Sequence, residues 1–467
     1  MKEFLMAFTI YICLVPVAIV MYFYMYPKNW KTKNRILGVN NRKEFKEGNA
    51  AEFIDILNAA HRKQALVITV GIVIVSTIIL FIPEMFVKMI ASTLFVYVAL
   101  ILLAIPYALG NAEMKRYKKN LGILSENNIY ADLKTVGSIH ALNKPLLIVL
   151  NIIGLLILAA AVLIDTGVIP VSFAIFKGTF MVSTLILAFE FTNLILFPIS
   201  FMVDNSRNEV ICEDSNVNAN YNRAKKKIFA DMMILSTIIN TAFSLICLLA
   251  FKFISSEMSS VLLVILYMFM LFGVIILFCS KKKKLEEKYS EYQGNLVEDD
   301  DDNWILGIFY YNPKDKKLNV EKRVGVGWTV NMAHPAGKIL TVILALTVVG
   351  SLLSMVWIGL MGFTPIRIIE KDDSLICHQL WDEYTIKTND ILSVSSGDLS
   401  TLHAVRVAGT GMDNVAKGNF NVNDGEKCKF FLNPKVGKYI RIETSDQIYY
   451  ISADTLEETE ALLEHLQ

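Results

Sequence analysis

The sequence is poor in charge: Asp, Glu, Lys and Arg make up 19% of its 467 residues, against 54% hydrophobic ones. A water-soluble chain of this length needs more charge than that to cover its surface, so an ordinary globular protein is excluded. Cysteine is scarce too. Cys13, Cys247 and Cys279 sit in apolar runs and Cys212 in a polar loop, with no metal-like spacing among them. The six histidines stand singly; His61 and His334, which border apolar segments, read as surface residues. No HExxH, Walker A, GxSxG or GxGxxG pattern occurs in a usable context. These absences predict a protein that is not an enzyme, carries no cofactor or metal, and does not bind nucleic acid directly.

What the chain does have is long hydrophobic runs. Crossing a hydrocarbon core of about 30 Å takes roughly 20 helical residues. Eight segments qualify, near 4–26, 65–86, 89–110, 145–165, 171–201, 228–251, 257–279 and 339–361. The first is long and lacks a small-residue cleavage site, so it reads as a retained helix rather than a signal peptide. The connections 27–63, 111–144, 203–227 and 281–338 hold 9, 6, 5 and 11 Lys plus Arg, whereas the short alternating ones hold only Lys88 and Lys252. The positive-inside rule then makes the basic connections cytoplasmic and both termini extracytoplasmic. The order helix, basic loop, tight hairpin, basic loop, helix occurs twice, with "FIPEMFVK" and "FISSEMSS" at matching hairpin tips. That order suggests a tandem repeat of four-helix units. The expected organisation is a first membrane unit over 1–166 (helices 1–4) and a second over 167–280 (helices 5–7). A cytoplasmic loop over 281–338, helix 8 over 339–361 and an outer β-rich domain over 364–467 follow.

Ionisable groups within spans are costly and are functional candidates by default. Glu190 lies about twelve residues from the cytoplasmic end of helix 5, near the midplane, with Asn193 close to the same face. Ser236, Thr237 and Asn240 of helix 6 come to a similar depth, and Asn151 of helix 4 is a shallower candidate. Glu190 either takes up a proton or a polar ligand during a conformational cycle, or is a hydrogen-bonded residue that fixes helix packing. Asp165 and Lys177, near the outer boundary, read as interfacial.

After helix 7, the acidic run Glu298–Asp302 reads as a solvated, helix-ending charge run rather than a cation site. The aromatic stretch that follows contains Trp304, Gly307, Tyr310, Tyr311, Asn312, Pro313, Arg323, Gly327, Trp328 and Asn331. "WILGIFYY" is too apolar for water, Asn312-Pro313 reads as a turn, and Gly325 and Gly327 allow a tight approach before Trp328 anchors at the interface. Anchoring is the leading role and partner docking the alternative. These residues resemble a short motif of uncharacterised bacterial membrane proteins. More weakly, "LVPVAIVMYFYMYP" and "ILGVN" resemble the first span and turn of the SdpI-like immunity and signalling proteins, which protect against a secreted peptide toxin and hold a cytosolic repressor.

Past residue 364 short alternating runs separated by Gly, Asn and Asp turns indicate strands. Thr455 and Glu458 form a capping-box pair before a last helix with Leu456, Leu463 and Leu466 on one side. "VRVAGTGMDNVAKGNFNV" and "KYIRIETSDQIYYISADTLEETEALLEHL" resemble the small bacterial pleckstrin-homology-type domains, which implies that fold for the last hundred residues. Cys377 and Cys428 fall in separate strands, and an outside location would permit a disulfide between them. The fold class expected is an α-helical polytopic membrane protein of about eight spans with a C-terminal pleckstrin-homology-like domain. The functions expected are an envelope sensor or immunity-type protein, or alternatively a small-solute or lipid transporter using Glu190. The partners expected are the lipid bilayer, an extracellular peptide and a cytosolic regulatory protein.

Overall fold

A computed structural model describes residues 2–123, 139–170, 181–206, 208–250, 257–292, 299–324, 327–422 and 425–467. The apolar runs are helices: α1 (Lys2–Met25), α2 (Gly48–Leu80), α3 (Met85–Asn120), α4 (Lys144–Asp165), α5 (Met181–Asn205), α6 (Ser215–Leu249), α7 (Glu257–Lys288) and α8 (Pro335–Phe363). Seven of them, α2 to α8, are long and apolar enough to cross a membrane by length and composition. The span expected at 4–26 is α1, whose described apolar stretch, Leu14–Met25, is shorter. The span expected at 171–201 is helical from Met181; residues 171–180, with Lys177, lie outside the described residues, as do Lys252 and part of the second hairpin tip. Exposed Leu, Ile, Val and Phe side chains cover these helices, and none of the most apolar stretch of α8 is buried. Only hydrocarbon solvates such a surface without cost, while the helices satisfy their own backbone polar groups.

The chain forms two compact units, one of residues 1–80, 95–160 and 184–347, the other of residues 81–94, 161–183 and 348–467. In the first, α2, α3, α6 and α7 run on into the basic connections, and parts of 27–63 and 281–338 fold into short hairpins. β1 (Arg35–Ile36) pairs with β2 (Val39–Asn40), β3 (Trp304–Ile305) with β4 (Phe309–Tyr310), and β5 (Asn319–Glu321) with β6 (Trp328–Val330). Trp30, Ile36, Leu37, Val39, Phe45 and Ile54 pack with Tyr107 and Met114 of α3. A second core joins Leu142 and Leu147 to Val203, Phe229 and Phe278, with Trp328 against it.

In the second unit a three-stranded sheet, β7 (Arg367–Lys371), β8 (Ser374–Gln379) and β9 (Asp382–Lys387), accompanies a six-stranded one. The larger sheet has β10 (Ile391–Asp398), β11 (Ala404–Gly411), β12 (Ala416–Val422), β13 (Glu426–Leu432), β14 (Lys438–Thr444) and β15 (Ile448–Ile451) in the order β10-β14-β15-β13-β12-β11, with β13 and β15 parallel. α9 (Leu456–Leu466) closes it, and the capping box forms, with Glu458 N donating to Thr455 Oγ1 at 3.2 Å. Leu462, Leu463 and Leu466 pack inward, whereas Leu456, expected on the same side as Leu463 and Leu466, is exposed. The thiols of Cys377 and Cys428 are free. Strand alternation is the reason: Cys428 shares a face with Phe430, while Phe431, one residue on, faces the cluster that holds Cys377. Burial pushes both thiols up to about 12.

Within this unit the β domain grips the helix end that precedes it. Gln379 Nε2 donates to the carbonyls of Met361 (3.1 Å) and Thr364 (2.8 Å), and Asn414 Nδ2 to that of Gly362 (2.5 Å). These side chains occupy last-turn carbonyls that have no partner inside a helix. Lys435 pairs with Glu84 at the hairpin before α3 and lies 3.7 Å from Asp413, which accepts from Met85 N. Asp165, the last residue of α4, is buried and accepts from Ser183 N at the start of α5 at 2.8 Å.

Candidate functional site

Two polar centres lie in the first unit. One surrounds Glu190. Ser244 Oγ donates to its Oε1 at 2.5 Å and Asn193 Nδ2 to its Oε2 at 3.0 Å. Asn240 Nδ2 donates to Asn193 Oδ1 at 2.8 Å, and Tyr267 Oη to Asn240 Oδ1 at 2.8 Å. The chain of bonds links α5, α6 and α7, and α4 adds Gly154, where any Cβ would overlap the Glu190 carboxylate. Glu190, Asn193, Asn240 and Ser244 are all fully enclosed. Asn151 and Thr237 stay outside this chain: each donates to its own helix, to Leu147 O and Met233 O. Ser236 is half-buried, and no described residue bonds it to the network. Ser244, Thr241 and Tyr267 belong to the centre although sequence depth did not single them out.

The other centre gathers the basic connections. Asp299 and Asp301 flank the Lys118 ammonium at 2.5 and 2.7 Å, and Arg42 reaches Asp299 at 2.5 Å. Arg323, with its side chain wholly buried, pairs with Asp301 at 2.6 Å, with Asp300 and with Gly38 O, and lies over the Trp304 ring. Contrary to the solvated run its sequence suggested, Asp299 to Asp301 are neutralised inside the fold by three cations from distant parts of the chain, while Asp302 is exposed and Glu298 lies outside the described residues. Burial works against ionisation of Asp301, but the charges of Arg323 and Lys118 outweigh it and hold the carboxyl below the ordinary range. Asp299 is raised instead, by burial and by the neighbouring Asp301 charge. Beside this cluster, Lys225 bridges Glu209 (2.9 Å) and Glu321, and Lys282 reaches Glu321 at 2.8 Å. Arg35 stands between the two clusters, 3.7 Å from Glu209. His61 is buried beside Glu113 at 3.5 Å, so its surface assignment is corrected; His334 Nδ1 accepts from Ala336 N at the start of α8.

The aromatic motif supplies the frame. Trp304 and Tyr310 are buried against each other, with Trp304 Nε1 donating to Asp300 at 3.1 Å. Tyr310 donates to Asp315, and burial pushes its phenol up to about 12. Asn331 ties the loop shut: its Nδ2 donates to the carbonyls of Asn312 and Asp315, and its Oδ1 accepts from Asn312 N and Ala333 N. Gly327 has positive φ, Trp328 packs on Phe229, and Tyr311 and Pro313 face outward. Gly325 lies outside the described residues. Gly307 belongs to a feature that sequence reading missed. "ILG" occurs at 36–38 and at 305–307, and both Leu-Gly pairs adopt positive φ, as type I′ hairpin turns require. Both turns abut Tyr107 and Asn111 of α3, and Asn111 Nδ2 donates to Leu37 O at 2.8 Å. The repeated tripeptide was the available signal.

Among the described residues no group of three His, Cys, Asp or Glu could hold a metal ion. Fold and geometry define a membrane-protein architecture joined to a β domain. Residues 366–467 match a bacterial PH domain, and residues 313–338 match a family of unknown function (DUF5808). The second match takes in Pro313, Arg323, Gly327, Trp328 and Asn331, while Trp304 to Asn312 lie before it. No curated protein and no solved structure matches the chain, so the SdpI-like resemblance has no match behind it.

Proposed function

We propose that the protein is a non-enzymatic sensor or immunity-type protein of the bacterial envelope, with its PH-like domain and both termini outside. The orientation rests on the segregation of basic residues into alternate connections. The observation that carries the sensor reading is the mounting of the β domain. Gln379 and Asn414 hold the last turn of α8, and Lys435 and Asp413 hold the hairpin before α3. Both helices run on into the charged part of the first unit: α3 carries Asn111, Lys115 and Lys118, and α8 begins at Pro335, shortly after Asn331. An extracellular peptide or envelope stress that moves the domain thus has two covalent levers to the basic loops, where a cytosolic regulator would read the change.

The test is a deletion strain challenged with membrane-active peptides and envelope stresses. The expected result is sensitisation that wild type restores and Gln379→Ala does not, with the variant accumulating normally in the membrane. Unchanged tolerance of the deletion strain across the panel sinks the reading. The alternative, transport of a small solute or lipid through Glu190, has less support. Both oxygens of that carboxylate are already bonded, and Gly154 is packed against it.

A further inference from the structure

Two adjoining cavities open among the charged residues of the first unit, of about 120 and 60 Å³. Asn34, Arg35, Glu209 and Glu321 line both. The larger is walled by Trp304 and Trp328 and floored by Asn41, which is 2% exposed. Asn41 spends its Nδ2 on the carbonyls of Trp30 and Lys33, and its Oδ1 has no hydrogen-bond partner. The smaller cavity is lined by Arg323, whose Nε–H likewise has no acceptor although the side chain is wholly buried. A buried polar atom left unpaired costs about 1–3 kcal/mol, so such atoms normally have a partner. The lining of one cavity therefore includes an unused acceptor and that of the other an unused donor, with Arg35, Glu209 and Glu321 common to both.

The charges around them nearly cancel. Counting each residue once, six cationic and five acidic side chains line the pair. Several of these charges already pair with one another, so a phosphate or a lone cation would bring a net charge that nothing there offsets, whereas a molecule with a positive and a negative end brings none. The larger space, at about 120 Å³ against the roughly 10–15 Å³ that admits one water, has room for a small organic molecule.

We propose that this cleft binds a small zwitterion of amino-acid size, with its ammonium end toward Asn41 Oδ1 and its carboxylate end toward Arg323 Nε. The site is independent of the sensor reading, because its test needs neither a phenotype nor an orientation.

The full-length protein, purified in detergent, is titrated with glycine, alanine, serine, threonine, proline and glycine betaine, with inorganic phosphate and putrescine as net-charged probes. The expected result is a saturable rise in Tm of several degrees with at least one zwitterion and none with phosphate or putrescine. Val320 lines the larger cavity without making an ion pair. Val320→Trp fills the space and should abolish the saturable shift while the ligand-free Tm stays near wild type. If that variant does not fold, isothermal titration of the wild type must show one-site binding that the two net-charged probes fail to compete. No saturable shift with any zwitterion overturns the proposal. So does an equal response to phosphate or putrescine, or an undiminished shift in a folded Val320→Trp protein.

Discussion

Asp299 and Asp301 lie two residues apart and share Lys118, yet their surroundings drive them in opposite directions. Because Asp301 is held below its ordinary range in the fold, it contributes stability above that range and loses it as the pH falls through it. Glu321, lowered by Lys225 and Lys282 against the cost of burial, has the same sign. Asp299 has the reverse sign: its ionisation is disfavoured in the fold, so acid relieves a cost. Asp301→Asn should accordingly cost about 3–5 kcal/mol at pH 7, the penalty for leaving a buried charge without its partner. Asp299→Asn should cost clearly less. Thermal unfolding in detergent at pH 7 and pH 3.5 checks both, and Asp301→Asn should also flatten the wild type's loss of stability in acid. At the membrane centre, Gly154→Ala is expected to cost about 1–3 kcal/mol by pushing on the Glu190 carboxylate. Glu190→Gln separates the packing role from transport, since a packing residue changes the unfolding temperature and a transport residue changes turnover alone.

Short elements anchor the long ones. The paired Leu-Gly turns meet α3 from two distant parts of the chain, and a Cβ at Gly38 would sit 2.6 Å from the Tyr107 hydroxyl. At Gly307 it would sit 2.8 Å from Asn111 Nδ2. Alanine at either position adds a steric clash to the backbone strain of positive φ, so each should lower Tm more than Gly122→Ala, where φ is also positive but the space is open. Comparing the three variants by thermal unfolding isolates the clash. At the β domain, Gln379→Leu leaves the Met361 and Thr364 carbonyls unpaired and should loosen the junction, measured as faster hydrogen exchange over the last turn of α8.

For the molecule as a whole, topology is the property that everything else depends on. A reporter that works only outside the cytoplasm, fused after Gln467, should be active, and one that works only in the cytosol should be silent. The first unit draws its residues from three stretches of chain and the second from three others, so sequence order is a poor guide to which residues share a core. Arg323 and Gly38 touch across 285 positions, and Lys33 and Glu286 across 253.

Hydropathy by itself marked the apolar spans of α2 to α8, because each must satisfy its own backbone and so shows as a continuous apolar run; it did not show how far α2, α3, α6 and α7 extend into the polar connections. Alternation and turn residues likewise marked the strands after residue 364, and the capping box marked the last helix. Which polar groups meet was decided only by tertiary structure. Glu298–Asp302 had the composition of a solvated run; Asp302 is exposed, but Asp299 and Asp301 are buried because Lys118, Arg42 and Arg323 arrive from elsewhere to neutralise them. Cys377 and Cys428 had permissive positions but face different cores. Burial and ion pairing are relations between distant residues, and a local pattern does not contain them.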